Sequence, residues 1–145
     1  MKNELINQLY TDKNIKLTQL RKEILTILYV KKKPMGAYDI LEKLKKKRTN
    51  AEPPTVYRVL DFLVEKKLIH RIESQNTYVC CSQLAKDSAP HKAILFFCKQ
   101  CQTCNEFKDD NLFLSIVKFS TEHQLQVDDS PIEIMGVCQS CLAAT

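Results

Sequence analysis

Residues 53–65 read Pro53-Pro54-Thr55-Val56-Tyr57-Arg58-Val59-Leu60-Asp61-Phe62-Leu63-Val64-Glu65. Proline is tolerated in the first turn of a helix, so Pro53-Pro54 opens a helix here rather than breaking one. At about 100° per residue, Val56, Val59, Leu60, Leu63 and Val64 fall on one arc, and Tyr57, Arg58, Asp61 and Glu65 fall on the opposite arc. The helix therefore packs one side and offers Tyr57 and Arg58, near its N-terminus, to solvent. On residue type alone, those two are also compatible with an ordinary solvated face.

Upstream, the periodicity predicts three more helices. Ala37, Ile40, Leu41 and Leu44 point inward after Gly36, while Lys43, Lys45, Lys46, Lys47 and Arg48 point outward. Thr18 can cap a helix carrying Leu20, Ile24, Ile27 and Leu28, which Lys31-Lys32-Lys33-Pro34 ends. Residues 3–11 form a short helix with Leu5, Ile6 and Leu9. Downstream, Leu68–Ile72 and Asn76–Cys81 are β-prone stretches joined by Glu73-Ser74-Gln75. Helices followed by a two-stranded ribbon make a winged helix-turn-helix, mainly α with a two-stranded wing.

Composition divides the chain near the same point. Of 145 residues, the first 79 carry 17 Lys+Arg against 9 Asp+Glu and no cysteine, while the remainder carry 5 against 8 and all seven cysteines. A basic, thiol-free half suits a polyanionic partner, though net charge alone carries no specificity. Residues 82–92, with Lys86, Asp87, Ser88 and Pro90, read as a hinge. Ala93–Cys98, Asn105–Phe107 and Ile132–Val137 read as strands. Asp110 or Asn111 can cap a helix with Leu112, Ile116, Val117 and Phe119. The expected domains are a winged helix over 1–81, the hinge over 82–92, and a small α+β domain over 93–145. The last is small enough to need a metal or a partner chain. No apolar run approaches the ~20 residues of a membrane span. Met1-Lys2-Asn3-Glu4 leads into an amphipathic pattern and not a signal peptide, so the expected compartment is the cytoplasm.

An odd cysteine count in such a chain favours metal ligands or redox groups over a full disulfide framework. Cys98/Cys101 and Cys138/Cys141 are two C-x₂-C pairs, each able to present two thiolates from one tight turn. Four thiolates suit tetrahedral zinc with no ligand position left open, which makes a structural site. Free cysteines or two disulfides are the competing readings. Cys104 extends the first pair to C-x₂-C-x₂-C, so Cys101/Cys104 is an alternative pairing. A thioredoxin-like motif fits poorly, since neither pair is expected to open a helix in a βαβ unit. His70 on the wing, Cys81 and His91 flanking the hinge, and Glu106 beside the knuckle form a second set. Two imidazoles, one thiolate and one carboxylate sum to −2, which balances a divalent ion. A zinc deaminase would need H-x-E before P-C-x₂-C, and no histidine here has a glutamate two residues on. No open zinc position with a poised base signals a hydrolase either, so no enzyme is expected.

Thr55-Val56-Tyr57-Arg58-Val59-Leu60 and the paired C-x₂-C motifs resemble the ferric uptake regulator family over nearly the whole chain. Gly36–Leu41, Pro53–Leu63 and His70–Tyr78 are similar to its zinc-uptake-regulator subgroup. The resemblance implies a zinc-responsive repressor of zinc-uptake genes with two Zn²⁺ per subunit. It implies binding of palindromic operator DNA by the domain over 1–81 and homodimerisation by the domain over 93–145. It implies a structural site at Cys98, Cys101, Cys138 and Cys141 and a regulatory site at His70, Cys81, His91 and Glu106. It carries base reading to Tyr57 and Arg58 within the signature opened by Thr55, and a DNA-backbone position to Tyr38. Register from Asn76-Thr77-Tyr78 favours Cys81 over Cys80. Gln102 stands where the family usually has glycine. An iron- or redox-responsive member is the rival. The missing histidine-rich run before the knuckle and the thiolate in the sensing set argue against an iron or peroxide sensor.

Overall fold

The computed structural model describes residues 4, 6–7, 15–82 and 92–144. Glu4, Ile6 and Asn7 are helical and Ile6 is buried. The rest of the expected 3–11 helix lies outside the described residues, as do positions 83–91 of the expected hinge and, with them, His91.

Helix α1 (Gln19–Lys31) starts where the Thr18 hydroxyl accepts the Arg21 N–H at 3.3 Å. It stops at Lys32, whose left-handed φ of 56° turns its N–H back to the Leu28 carbonyl. Helix α2 (Ala37–Lys45) follows Gly36, and α3 (Pro53–Glu65) carries its prolines in the first turn. Ile24 and Leu28 of α1, Ile40 and Leu44 of α2, and Leu60 and Leu63 of α3 are almost wholly shielded and form one core. Leu60→Ala should cost about 2–5 kcal/mol, the sum of lost transfer energy and an unfilled cavity. The readout is a lower denaturant midpoint at constant slope; an unchanged midpoint would remove Leu60 from the core.

Strands β1 (Ile69–Ile72) and β2 (Thr77–Cys80) form the wing, with Ile69 opposite Cys80 and Ile72 opposite Thr77. Asn76 takes a φ of 49° in the connecting turn, a conformation its short polar side chain tolerates. Met35 and Tyr78 exchange backbone hydrogen bonds of 2.9 and 2.8 Å, which fasten the α1–α2 loop to the wing. Burial raises the Tyr78 phenol above its ordinary pKa.

The second half is a three-stranded sheet in the order β4-β3-β5. Central β3 (Ile94–Cys98) pairs antiparallel with β4 (Cys104–Phe107) and parallel with β5 (Ile132–Gly136). A parallel pair needs a crossover, and α4 (Asp110–Glu122) lies in it. Its cap is Asp109, which accepts the Leu112 N–H at 3.0 Å, and not Asp110 or Asn111; Asp110 instead sits in the first turn, where a carboxylate suits the helix dipole. A Cβ on Gly136 would meet the Phe96 ring at 3.2 Å, so β5 ends on a close approach. A short helix, α5 (Gln139–Ala143), follows and was not anticipated.

The sheet has little core of its own. Ala93 and Leu95 cluster with Ile72 and Val79, which belong to the wing. Ser120 is the one buried residue of α4, while Leu114 and Phe119 are 62% and 55% exposed. Among the described residues no helix is long and apolar enough to cross a membrane.

Candidate metal centres and nucleic-acid face

Cys98 closes β3, and the chain then turns through a knuckle in which Gln102 donates its N–H to the Cys98 carbonyl and Cys98 to the Thr103 carbonyl, both at 2.9 Å. Gln102 has a φ of 62°. That is the left-handed region glycine enters freely, which explains glycine's usual place there. Lys99 donates to the Gly136 carbonyl at 2.8 Å, suturing the knuckle to the end of β5. Cys138 then caps α5 and Cys141 sits inside it. The second pair does open a short helix, but outside any βαβ unit, and its thiols face the first pair.

The Sγ atoms of Cys98, Cys101, Cys138 and Cys141 all lie within 4.8 Å of one another. Cys98–Cys141 and Cys101–Cys138 are each 3.8 Å apart. Zinc–sulfur bonds of about 2.3 Å in a tetrahedron separate sulfurs by about 3.8 Å, so the donor set fits. The Cys101 and Cys138 N–H groups point at Cys98 Sγ from 3.5 and 3.3 Å and bring its pKa down to about 6. The Thr103 hydroxyl, 3.0 Å from Cys101 Sγ, lowers the Cys101 thiol as well. Contact with Cys138 is the largest cause pushing Cys141 up to about 12. Four thiols this close remain ionised together only around a cation.

The second set draws on both halves of the molecule. His70 comes from β1, Cys81 follows β2, and Glu106 is on β4; their ligand atoms also lie within 4.8 Å of one another. His70 Nε2 is 3.1 Å and Cys81 Sγ 3.6 Å from Glu106 Oε1. Tetrahedral zinc would set these spans at about 3.3 and 3.5 Å. The His70 and Glu106 side chains are 6% and 5% exposed. A carboxylate so shielded from water needs compensation, and the Ser82 N–H supplies part by donating to Oε2 at 2.9 Å. His91 falls outside the described residues.

The remaining cysteines stand apart from both groups. Cys80 packs against the helical core, and burial pushes its thiol up to about 12. Cys104 packs among Leu95 and its neighbours, and burial takes its thiol to about 11. Sequence reasoning had no means of finding Thr103 or the Ser82 N–H, because a hydroxyl or an amide near a thiol has no spacing rule.

Thr55, Tyr57 and Arg58 are exposed on the N-terminal part of α3, opposite buried Val56, Val59 and Leu60. Tyr38, on α2, is 66% exposed. Lys31, Lys32, Lys33, Lys43 and Lys45–Lys47 also face solvent. Arg48 does not join that outward basic set. It is half-buried, its Nε bonds Glu23 at 2.8 Å, and it holds the Glu23 carboxyl below its ordinary pKa.

The model of the ferric uptake regulator family matches residues 12–135. The chain belongs to the ferric uptake regulator family. Within it, the chain is similar to the zinc uptake regulation protein of Escherichia coli (strain K12), 34% identical over 136 residues, which are 90% of this chain and 75% of that one. A zinc uptake regulator solved in complex with zinc and DNA superposes with a TM-score of 0.87 at 30% identity, over 99% of this chain and 97% of that one. Holo XcZur superposes at 0.82 with 27% identity, over 99% of both chains. Apo XcZur, at the same 27% identity and over 97% of both chains, reaches only 0.52. This family member therefore has the shape of the holo relative.

Proposed function

We propose that this chain is a zinc-responsive transcriptional repressor that binds palindromic operator DNA as a homodimer and controls zinc-uptake genes in the cytoplasm. The observation that carries the reading is the meeting of His70 and Cys81, from the wing and its exit, with Glu106 from the sheet. Residues 1–81 form the DNA-binding domain, 82–92 the hinge and 93–145 the dimerisation domain. Each subunit takes two Zn²⁺. The structural one is held by Cys98, Cys101, Cys138 and Cys141, and the regulatory one by His70, Cys81 and Glu106 with His91 as the fourth ligand.

Zinc at the regulatory site supplies a bond that joins the two halves. His70 orients the wing, Cys81 fixes the start of the hinge, and Glu106 anchors both to β4. That selects one orientation from a hinged ensemble. In a two-fold dimer the orientation sets the distance between two α3 helices, and half-sites about 34–36 Å apart accept only a matching distance. The exposed apolar side chains of α4, Leu112, Leu114, Val117 and Phe119, support dimerisation, because so much apolar surface on a small domain is normally covered. The likeness to the zinc-and-DNA-bound and holo relatives, against the weaker likeness to the apo one, supports the link between metal and shape.

On DNA, Arg58 faces guanine N7 and O6, Tyr57 packs on a thymine methyl, and Thr55, Tyr38 and the exposed lysines meet the backbone. The test of the function is metal analysis of the purified protein joined to DNA binding over a buffered free-zinc series. Affinity that rises with zinc and not with iron supports the reading, and zinc-indifferent binding rejects it. Arg58→Ala should relax base preference at one operator position at a cost of about 1–3 kcal/mol. Equal weakening on all sequences, measured by competition among base-substituted duplexes, would assign Arg58 to the backbone instead.

A further inference from the structure

Besides the metal set and the cluster around Leu95, the two halves touch at a third place. Glu133, half-buried on β5, receives the backbone N–H of Ser74, at the tip of the wing, on both carboxylate oxygens at 3.3 and 3.4 Å. The position of Glu133 in the sheet gives this contact leverage. Leu95 on the central strand lies opposite Glu106 on one side and Glu133 on the other. Directly opposed residues share a face of a sheet, so Glu106, Leu95 and Glu133 form one row across three strands. The whole row meets the wing: Glu106 at His70 and Cys81, Leu95 in the cluster with Ile72 and Val79, Glu133 at Ser74. Two strand spacings separate the carboxylates by about 10 Å.

The metal set and the non-directional Leu95 cluster beside it leave some rotation, and a directional anchor at that distance limits it. Closure also meets resistance that such an anchor would counter. Asp61, Glu65 and Glu73 from the winged-helix half line the same open gap as Asp128 and Asp129 from the sheet half, with Lys67 and Arg71 as the cations beside them. Like charges brought together across one gap oppose the closed arrangement.

We propose that Glu133 is a positioning residue, a metal-independent clasp on the tip of the wing that fixes the rotational setting of the DNA-binding domain. The consequence for DNA binding rests on the function proposed above; the clasp itself does not. A ligand that favours the closed state binds more weakly, in appearance, when that state is less populated. Losing the clasp therefore raises the zinc concentration needed for closure without changing the ligands.

The test uses the full chain with zinc and two variants, Glu133→Ala and Glu133→Gln. Hydrogen exchange at the Ser74 amide reads the clasp, and small-angle scattering over a buffered free-zinc series reads closure. In Glu133→Ala, Ser74 exchange should accelerate several-fold, and the zinc midpoint of closure should rise about three- to tenfold, the span allowed by the net worth of one hydrogen bond. Zinc stoichiometry should be unchanged. Glu133→Gln keeps an acceptor oxygen in the same shape and should fall between Glu133→Ala and the wild type, which guards against a misfolded alanine variant. A closure midpoint unchanged in both variants overturns the positioning role. If the wild type shows no zinc-driven closure, the functional reading fails first, and equal Ser74 exchange in wild type and both variants would overturn the clasp independently.

Discussion

Cys98→Ser should leave the winged helix folded and dissolve the sheet half. Cys98 ends the central strand, receives N–H groups from both the first knuckle and the cap of α5, and touches Cys141 Sγ at 3.8 Å. Among the described residues no other joins β3, the knuckle and the C-terminal helix at one atom. Hydrophobic burial offers little in reserve, because the cluster around Leu95 borrows Ile72 and Val79 from the wing and α4 buries only Ser120. Structural zinc sites are worth about 10–16 kcal/mol in small zinc-finger peptides. Whole domains are stable by about 5–15 kcal/mol. Losing the site therefore exceeds what the sheet can spare. The expected result is loss of tightly held zinc, collapse of amide dispersion for residues 94–136, and loss of the dimer. The core around Leu60 should still unfold cooperatively. Cys104→Ser is the matched control and should keep its zinc, since that thiol lies outside the cluster. A Cys98→Ser protein that retained zinc and a cooperative sheet would show that the cluster is incidental to folding.

The contrast between those two cysteines shows what could be read from the chain and what could not. Val56, Val59, Leu60 and Leu63 lie on one arc of a wheel, and that arc is the buried side of α3. Amphipathic periodicity reports burial directly, so the helices and the wing were legible. The cap of α4 was missed by one residue, because Asp109, Asp110 and Asn111 are all good caps and only the backbone turn at Asp109 chooses among them. Helix α5 was missed because five residues are too few to show a period. Both C-x₂-C pairs were visible as local spacing, but Cys104 was equally spaced and only geometry separates it. Arg48 looked like one more outward cation until Glu23, far away in sequence, claimed it. The contact between Ser74 and Glu133 involves a backbone N–H and leaves no mark in residue types at all.

Cys81→Ser should abolish the zinc-dependent gain in DNA affinity while keeping the structural zinc, the dimer and the fold. The substitution removes one soft donor and little volume, and His70 Nε2 and Glu106 Oε1 keep their 3.1 Å approach. Coupling between two sites typically runs about 1–3 kcal/mol. The loss should therefore be about tenfold or more at saturating zinc, measured by titrating a labelled operator duplex at low and high free zinc. His70→Ala should give the same phenotype through the opposite partner, because either change removes a ligand that the wing or its exit contributes to the set shared with Glu106. Cys80→Ala supplies the decisive comparison. Cys80 is one residue away on the same chain and packs at the edge of the core to which Cys81 belongs, but it lies outside the ligand cluster, whereas Cys81 Sγ reaches Glu106 Oε1 at 3.6 Å. Cys80 ends β2 and Cys81 follows it, so an assignment shifted by one residue would exchange their roles. Cys80→Ala should cost some stability and none of the zinc response. If instead Cys80→Ala silences the response and Cys81→Ser does not, the ligand register is shifted by one and the proposed regulatory set has the wrong thiol.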